Sequence, residues 1–395
     1  MRVAQTIGVP QRSLDQEVDA VVVALKSRNL EPEEAISQSL EALEWLRTQG
    51  AQQIYFKYCS TFDSTPTGNI GPVTEALMHA LKTDFTIATP AFPDNGRTVF
   101  KGYLFVGDVL LNESSMKDHP LTPMTDANLV RVMQAQCQAK VGLIDHRSVA
   151  QGPAAVQQRI ADLKSQGITI AVVDAVSNDD LLKLGPALKG MPLVTAGSGV
   201  AIGLPANFGL SPTPQSSTLP HAQGLQAVVS GSCSVATNGQ VAHFKATGRP
   251  AMAINPASLM HGQTDAVVQQ VLAWAGPLLQ NGPLLVYSTA EPDAVKAVQA
   301  QLGVAEAGAL VEHALASVAR GLVALGVQQL VVAGGETSGA CVQALDIAQL
   351  QIGPQIDPGV PWCHAPAQNG GVHITLKSGN FGTEDFFSKA FDTLH

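Results

Sequence analysis

Residues 57–72 combine an amine, a carboxylate and several hydroxyl and amide side chains between a predicted strand and a predicted helix. They read Lys-Tyr-Cys-Ser-Thr-Phe-Asp-Ser-Thr-Pro-Thr-Gly-Asn-Ile-Gly-Pro. Open α/β sheets bind ligands at the carboxyl ends of their strands, and this set of side chains suits a polyhydroxylated acid. The same Ser, Thr and Asn side chains could instead satisfy backbone groups of a turn and cap the helix. The chemistry of the segment leaves both interpretations open.

A glycine-rich turn occupies residues 331–340, which read Val-Val-Ala-Gly-Gly-Glu-Thr-Ser-Gly-Ala. An apolar strand pattern precedes this turn and a helical pattern follows it. Gly334 and Gly335 allow the backbone to approach a ligand closely, and a helix start presents free N–H groups and a positive dipole end. The turn is therefore predicted to bind phosphate. The alternative is an ordinary strand-to-helix turn that is capped by Thr337 or Ser338.

A lysine and a second glycine-rich turn follow the strand pattern that begins at Val372. Gly371 precedes Lys377 by the distance found in a P-loop, but Leu376 occupies the position of a required glycine. The residues before Lys377 alternate as in a strand, so we reject the P-loop interpretation. The turn after Lys377 could still close over a nucleotide.

Three other turns carry weaker signals. The turn at 231–234, Gly-Ser-Cys-Ser, lacks a Gly-x-Ser-x-Gly elbow, so nucleophilic catalysis is disfavoured there. The glycines at 197–203 are spaced one residue too widely for a dinucleotide fingerprint, which leaves an NAD(P)-dependent oxidoreductase as a remote alternative. Arg97 follows a polar turn and is a candidate clamp for a substrate carboxylate, or else a solvated side chain.

Short apolar runs bounded by Gly, Pro or Asp alternate with longer helical patterns along the whole chain. This alternation is typical of strands and crossover helices in mostly parallel sheets, so we predict an α/β fold. The predicted strands lie at 21–25, 53–58, 85–89, 141–144, 168–173 and 192–196 in a first domain, and at 225–230, 284–288, 329–332 and 372–376 in a second.

Residues 210–220 are rich in Pro, Ser and Thr and leave no room for a regular element. The chain of 395 residues is also too long for one ordinary core. We therefore predict two α/β domains, at 1–209 and 223–395, joined by a linker at 210–222. A cleft between two such domains is the expected ligand site.

Charge and cysteine usage restrict the class of protein. The net charge of −9 argues against nucleic acid as a partner, because binding phosphate backbones requires a basic face. The five cysteines are widely spaced and include no Cys-x-x-Cys pair, which indicates reduced thiols in the cytoplasm. Polar residues interrupt the most apolar stretch, 313–334, and the start has no signal-peptide pattern, so no membrane association is expected.

Four motifs, taken in order, resemble those of the four-carbon acid sugar kinase family, and most of all its 3-oxo-tetronate 4-kinases. They are Asp-Ser-Thr-Pro-Thr-Gly-Asn at 63–69, Gly-Ser-Cys-Ser at 231–234, Ala-Gly-Gly-Glu-Thr-Ser-Gly at 333–339 and Leu-Lys-Ser-Gly-Asn-Phe-Gly at 376–382. The resemblance covers essentially the whole chain. It implies an acid-sugar-binding first domain, a nucleotide-binding second domain, and phosphoryl transfer from ATP with Mg²⁺ to the C4 hydroxyl of a 3-oxo-tetronate.

The resemblance also implies which residues line each site. The residues expected to contact the nucleotide are Ser232, Ser234, Gly334, Gly335, Glu336, Thr337 and Gly379. Those expected on the substrate side are Lys57, Asp63, Ser64, Thr67, Gly68, Asn69 and Arg97. Phosphoryl transfer depends on alignment and on neutralised charge, so the predicted role of Asp63 is to orient or deprotonate the attacking hydroxyl. Residues that hold the metal stay unassigned.

The start of the chain departs from the family pattern. Members usually open with a strand that ends in Asp-Asp-Phe-Thr-Gly-Ala, whereas this sequence begins with Met-Arg-Val-Ala-Gln, which is similar to the family's second strand. We therefore expect the first strand and its acidic turn to be missing. An edge strand exposed in this way would favour association, for example into a homo-oligomer, or instability. A homologue that binds ligand without turnover is the alternative to an active kinase.

Overall fold

The computed structural model describes residues 1–14, 17–118, 122–213, 217–259, 262–288, 304–366 and 371–394. Two compact units are present. The first comprises Met1, Gly8–Glu17 and Val23–Pro212, and the second comprises Arg2–Ile7, Val18–Val22 and Thr213–His395. Both contain helices and mostly parallel strands, which confirms the predicted α/β class.

Strands and helices alternate through most of both units. The strands are β1 (Val3–Ile7), β2 (Ala20–Ala24), β3 (Ile54–Lys57), β4 (Thr86–Thr89), β5 (Arg97–Phe100), β6 (Tyr103–Val106), β7 (Val109–Leu110), β8 (Lys140–Ile144), β9 (Ile168–Val173), β10 (Leu193–Ala196), β11 (Leu225–Ser230), β12 (Ala251–Ala253), β13 (Leu284–Tyr287), β14 (Val327–Ala333), β15 (Gln349–Asp357), β16 (Val360–Ala365) and β17 (Val372–Lys377). The α-helices are α1 (Pro32–Thr48), α2 (Ile70–Leu81), α3 (Leu129–Gln134), α4 (His146–Ala150), α5 (Pro153–Ser165), α6 (Asn178–Ala187), α7 (Val235–Ala246), α8 (Thr264–Leu278), α9 (Val304–Ala324), α10 (Gly335–Ala344) and α11 (Phe386–Asp392).

The first unit is built on a parallel sheet with the strand order β3-β10-β4-β9-β8 in its described residues. Every residue of β4 and β10 is buried, as expected for central strands covered on both faces by crossover helices. A small antiparallel sheet of β5, β6 and β7 lies beside it and was not predicted. Because the strands of this sheet are parallel, their carboxyl ends all lie on the same side of it. The loops after β3 and β4 therefore begin on that side.

The second unit contains a mixed sheet with the described order β12-β13-β11-β14-β17-β16-β15-β1-β2. The pairs from β12 to β17 are parallel, and β16, β15 and β1 extend the sheet with antiparallel pairs. The predicted strands omit β15 and β16. Gly353 and Pro354 interrupt the pattern of β15 and coincide with a register shift, because proline cannot donate to a strand ladder.

The predicted strand 21–25 belongs to the second sheet and not to the first. The structure places this strand, β2, at the edge of the second unit's sheet next to β1. In turn β1 pairs with β15, with Ala4 opposite Gln351. An apolar run in the sequence reveals β2 as a strand, but its neighbour β1 joins the sheet through β15, more than three hundred residues further along the chain, so local pattern cannot assign the sheet of β2. The segments 2–7 and 18–22 therefore lie outside the unit that contains most of the predicted first domain.

Among the described residues, one helical segment, Glu306–Ala324 in α9, is long and apolar enough to cross a membrane by length and composition. It contributes several side chains to the buried core of the second unit: Ala314, Leu315, Val318, Ala319 and Leu322. Part of this segment therefore packs in the core of the second unit, with 39% of its most apolar window buried.

Candidate functional site

Three turns meet at the carboxyl ends of the adjacent strands β11, β14 and β17 in the second unit. The Gly231 N–H donates to the carbonyl of Ala333 at 2.9 Å, and the Gly334 N–H donates to the carbonyl of Lys377 at 2.8 Å. Each turn is therefore tied to the next. The predicted nucleotide-binding segments, which lie up to about 150 residues apart in the sequence, form one surface at the sheet edge.

Glycine is required where the turns approach each other. A Cβ atom on Gly379 would lie 2.5 Å from Ser232 Oγ, and one on Gly334 would lie 2.8 Å from Thr337 Oγ1. Gly334 also has a φ angle of 124°, which L-residues rarely adopt. Gly335 differs, because a Cβ there would meet no atom within 4 Å. The backbone at Gly335 thus faces open space beside a closely packed turn.

The helix α10 begins in this turn without a side-chain cap. Thr337 and Ser338 both lie within α10, so the alternative in which one of them caps the turn is wrong. Ser338 Oγ is buried and has no hydrogen-bond partner among the described residues. An uncapped start leaves N–H groups for an anion, and Glu336 is exposed in the same first turn.

The two serine hydroxyls of the turn at 231–234 make different contacts. Ser234 is the N-cap of α7 and accepts from the Thr237 N–H at 3.2 Å. Its hydroxyl also donates to the carbonyl of Gly379 at 2.6 Å, so it holds two turns together. Ser232 Oγ lies 3.3 Å from Ser234 Oγ at the same junction. Both predicted serines are therefore at the surface formed by the three turns.

The loop between β3 and α2 carries the predicted substrate residues of the first unit. Asp63 is buried, accepts from Thr61 Oγ1 at 2.5 Å and forms an ion pair with Arg28 at 3.2 Å between Oδ2 and Nη1. The Lys57 side chain is exposed, yet surrounding protein partly desolvates its amine and lowers its pKa. Arg28 lowers the same pKa, while Cys59 and Asp63 oppose that shift.

Other residues of this loop fix its shape. The Asn69 amide donates to the carbonyls of Ser27 and Leu30, both at 2.9 Å, and makes no side-chain cap for α2. Ser64 Oγ accepts from Gln136 Nε2 at 2.7 Å, and a Cβ on Gly68 would lie 2.1 Å from that oxygen. Thr67 is exposed at the tip of the loop.

Arg28 is a site residue that the sequence reasoning missed. Its side chain is 55% exposed although one nitrogen is paired with Asp63, so the rest of its guanidinium can reach a ligand. The available signal was the segment Lys-Ser-Arg at 26–28, which directly follows a predicted strand. Its pairing with Asp63 depends on the fold, and no sequence spacing reveals it.

Arg97 begins β5, and its Nη1 donates to the carbonyl of Asn95 in the same polar turn. Its Nε and the Asn95 Nδ2 are both buried without a partner in the described part of the chain. Buried donors are rarely left unpaired, so these two atoms carry an uncompensated cost of burial in this turn.

A cavity of about 400 Å³ opens at the carboxyl end of β8 and contains none of the predicted substrate residues. Asp145, on its wall, caps α4 by accepting from the Ser148 N–H at 3.1 Å. Because β8 and β3 are opposite edges of the sheet, this cavity and the Asp63 loop are roughly 19 Å apart at a strand spacing of about 4.8 Å. The cavity does not mark the predicted site.

The remote dinucleotide interpretation of residues 197–203 is wrong. Residues Ser198–Gly203 form a 3-10 helix that packs closely against α6. A Cβ on Gly203 would lie 2.6 Å from the Leu181 carbonyl oxygen, and one on Gly199 would lie 2.3 Å from that of Ala91. These glycines serve internal packing and do not leave a space for a pyrophosphate.

The described residues contain no group of three or more His, Cys, Asp or Glu side chains arranged to hold a metal ion. Mg²⁺ in phosphoryl transfer is usually bound by one or two carboxylates together with the substrate phosphates. The exposed carboxylate of Glu336, beside the open backbone at Gly335, is a donor of that kind. The residues present therefore fit a Mg²⁺ ion that arrives with phosphate.

Two family models and several relatives match this chain. Residues 1–204 match a sugar-binding N-terminal domain, and residues 227–387 match a nucleotide-binding C-terminal domain. A protein of Burkholderia multivorans named 3-oxo-tetronate kinase is 56% identical over 100% of this chain and 92% of its own length. A protein of Haemophilus influenzae with the same name is 47% identical over 98% and 92%.

Solved structures agree with these matches. A crystal structure from Salmonella typhimurium LT2 is 42% identical with a TM-score of 0.91. One from Haemophilus influenzae is 46% identical with a TM-score of 0.82, and both cover 100% of this chain and 94% of their own.

The fold, the glycine-lined sheet edge and these matches define a sugar acid kinase. The chain belongs to the four-carbon acid sugar kinase family, with curated relatives that are named 3-oxo-tetronate kinase. The family resemblance found in the sequence is thus confirmed, as is the assignment to enzymes.

Proposed function

We propose that this enzyme transfers the γ-phosphoryl group of ATP to the C4 hydroxyl of a 3-oxo-tetronate. The C4 oxygen forms a bond to the γ-phosphorus while the bond to the bridging oxygen of ADP breaks. The hydroxyl proton passes to a base. The observation that carries the proposal is the junction of three turns at the β11, β14 and β17 ends, in a chain whose relatives are named 3-oxo-tetronate kinase.

The nucleotide is assigned to the second unit. The N–H groups at the start of α10 and the open backbone at Gly335 suit the phosphates, because an uncapped helix start favours anions. Ser232, Thr337 and Gly379 complete the same surface. Glu336 would hold a Mg²⁺ ion that arrives with the phosphates, and this ion would neutralise charge on their oxygens.

The sugar acid is assigned to the first unit. Arg28 and Lys57 place two cations beside Asp63, and the half-exposed guanidinium of Arg28 can bind a carboxylate through two N–H groups. Arg97, at the start of β5, is assigned a second contact to the acid as a further guanidinium of the same unit. Asp63, held by Thr61 and Arg28, would orient the C4 hydroxyl or take its proton.

The setting of the reaction follows from the same proposal. A small acid sugar would be the substrate, and the cytoplasm, where ATP is available, would be the location. The five cysteines are all free, which is consistent with a reducing compartment. Self-association into a homo-oligomer stays a prediction.

An ADP-release assay with Mg-ATP and a panel of 3-oxo-tetronates, with the unoxidised tetronates as controls, tests the proposal. We expect turnover with a 3-oxo form and a phosphate on C4 of the product, located by ³¹P–¹³C coupling. ATP binding without ADP release on any acid would instead favour a binding protein. Phosphate on another carbon would overturn the C4 assignment alone.

A further inference from the structure

Lys377 is a fully buried lysine at the end of β17, at the edge where the three turns meet. Its ammonium donates to the carbonyls of Ser378, Gly379 and Phe381, each at 3.1 Å, and to Thr237 Oγ1 at 3.0 Å. A buried charge is costly unless several hydrogen bonds compensate it. The segment 378–382, here called the Gly379 loop, supplies most of that compensation.

Because three carbonyls of the loop point toward one cation, the directions of the N–H groups that follow them are also fixed. In a trans peptide the N–H points away from the carbonyl that precedes it. The N–H groups of Gly379, Asn380 and Gly382 therefore point away from the Lys377 ammonium. Gln240 adds to this arrangement, because its Nε2 donates to the carbonyls of Phe381, Gly382 and Thr383 at 3.0 to 3.1 Å.

We propose that Lys377 is a positioning residue for the nucleotide. Its ammonium holds the carbonyls of the Gly379 loop inward so that the loop N–H groups face the phosphates of ATP. This inference rests on the proposed function, and deepens it, because Lys377 would act through the loop without touching the nucleotide. Its charge also adds to the positive field at the site, since a buried cation is weakly screened.

Proton binding by Lys377 gives the proposal a signature. Burial lowers the pKa of Lys377 to about 8. The titratable groups on the surrounding elements are Cys233 in the turn 231–234, Glu336 and Cys341 on α10, His243 and Lys245 on α7, Asp357 on β15, Cys363 and His364 on β16, His373 on β17, Lys389 and Asp392 on α11, and Asp385 and Glu384 before it. Asp357 is already paired with Lys389. Burial, and no one of these charges, is the cause of the lowered pKa.

The sign of the pH effect follows from these facts. Phosphates near the loop favour the charged ammonium, so they raise the pKa of Lys377 in the complex. ATP binding above pH 8 must then take up a proton, and affinity must fall as pH rises. At pH 8.5 the uptake should be up to roughly 0.7 of a proton, and from pH 7 to pH 9 the Kd should rise up to about tenfold.

Calorimetry of Mg-ATP binding to the full chain tests the inference. Titrations at pH 8.5 in two buffers of different ionisation enthalpy measure proton uptake in the wild type, Lys377→Met and Lys377→Arg. Lys245→Met, which removes an exposed lysine of α7, is the matched control. We expect at least tenfold weaker binding and no extra proton uptake in Lys377→Met, and a Kd in Lys377→Arg that depends less on pH, because guanidinium stays charged.

The steady-state signature is a raised KM for ATP with kcat and the KM for the sugar acid within twofold. Equal proton uptake and equal affinity in Lys377→Met and wild type would overturn the role of Lys377 and leave the kinase intact. No ATP binding by the wild type at pH 7 would overturn the proposed function itself, and with it this inference. If Lys377→Met does not fold, a pH dependence in Lys377→Arg equal to that of the wild type is the result that overturns the inference.

Discussion

The Gly379 loop and the substrate loop at 57–69 hold their groups by different means. Backbone carbonyls of the Gly379 loop gather around one buried ammonium, and a Cβ atom on Gly379 would lie 2.5 Å from Ser232 Oγ. The substrate loop instead brings charged side chains together, with Asp63 paired to Arg28. A site formed by backbone groups tolerates little change in shape, whereas a site formed by charged side chains depends on which charges are present. Substitutions should therefore affect the two loops differently.

The largest effect is expected from Asp63→Asn, which keeps the size of the side chain and removes its charge. We expect kcat to fall by about 10²- to 10⁴-fold, as for loss of a group that moves a proton, with the KM for ATP unchanged. Steady-state kinetics with both substrates measure this. A kcat within threefold of the wild type would mean that Asp63 serves only to hold Arg28.

Gly334→Ala should be next, because it adds a Cβ where the φ angle is 124° and Thr337 Oγ1 would lie 2.8 Å away. Strain of this kind costs about 1–3 kcal/mol of stability, and a displaced site can lower the rate about 100-fold. The free energy of unfolding, measured with urea, and the kcat/KM for ATP should both fall. Loss of stability with normal kcat/KM would place the strain outside the nucleotide site.

Arg28→Lys tests the site that charged side chains form at the substrate loop. The positive charge beside Asp63 remains, but the bidentate hydrogen bonds from a guanidinium to a carboxylate are lost. The KM for the sugar acid should rise by roughly 10- to 100-fold, with the KM for ATP unchanged. Arg12→Ala, an exposed arginine of the same unit, is the control and should leave both constants unchanged. An unchanged KM for the acid would remove Arg28 from the substrate site.

The smallest effect is expected from Gly335→Ala. This substitution is the matched comparison for Gly334→Ala. No atom lies within 4 Å of the added Cβ, so the free energy of unfolding should change by less than about 0.5 kcal/mol. The methyl group would occupy the space proposed for phosphate, so the KM for ATP should rise about tenfold. If stability falls and ATP kinetics do not, the open space at Gly335 is not the phosphate site.

Much of the parallel core was predictable from the sequence. The predicted strand at 168–173 coincides with β9, and that at 225–230 coincides with β11. Buried parallel strands are continuous apolar runs, so they stand out locally. The antiparallel extension by β15 and β16 was not found, because glycine and proline interrupt its pattern. The assignments of individual residues to substrate or nucleotide stay predictions that the experiments above can test.

The sequence by itself determined the α/β class, the family and the four motifs, because apolar periodicity and motif order are properties of the chain alone. Tertiary structure decided the partners. The sheet that β1 and β2 join, the pairing of Arg28 with Asp63, and the carbonyls around Lys377 all depend on groups that are distant along the chain or turned by the backbone. Hydrogen bonds and ion pairs act over a few ångströms of space, and sequence spacing does not report that distance.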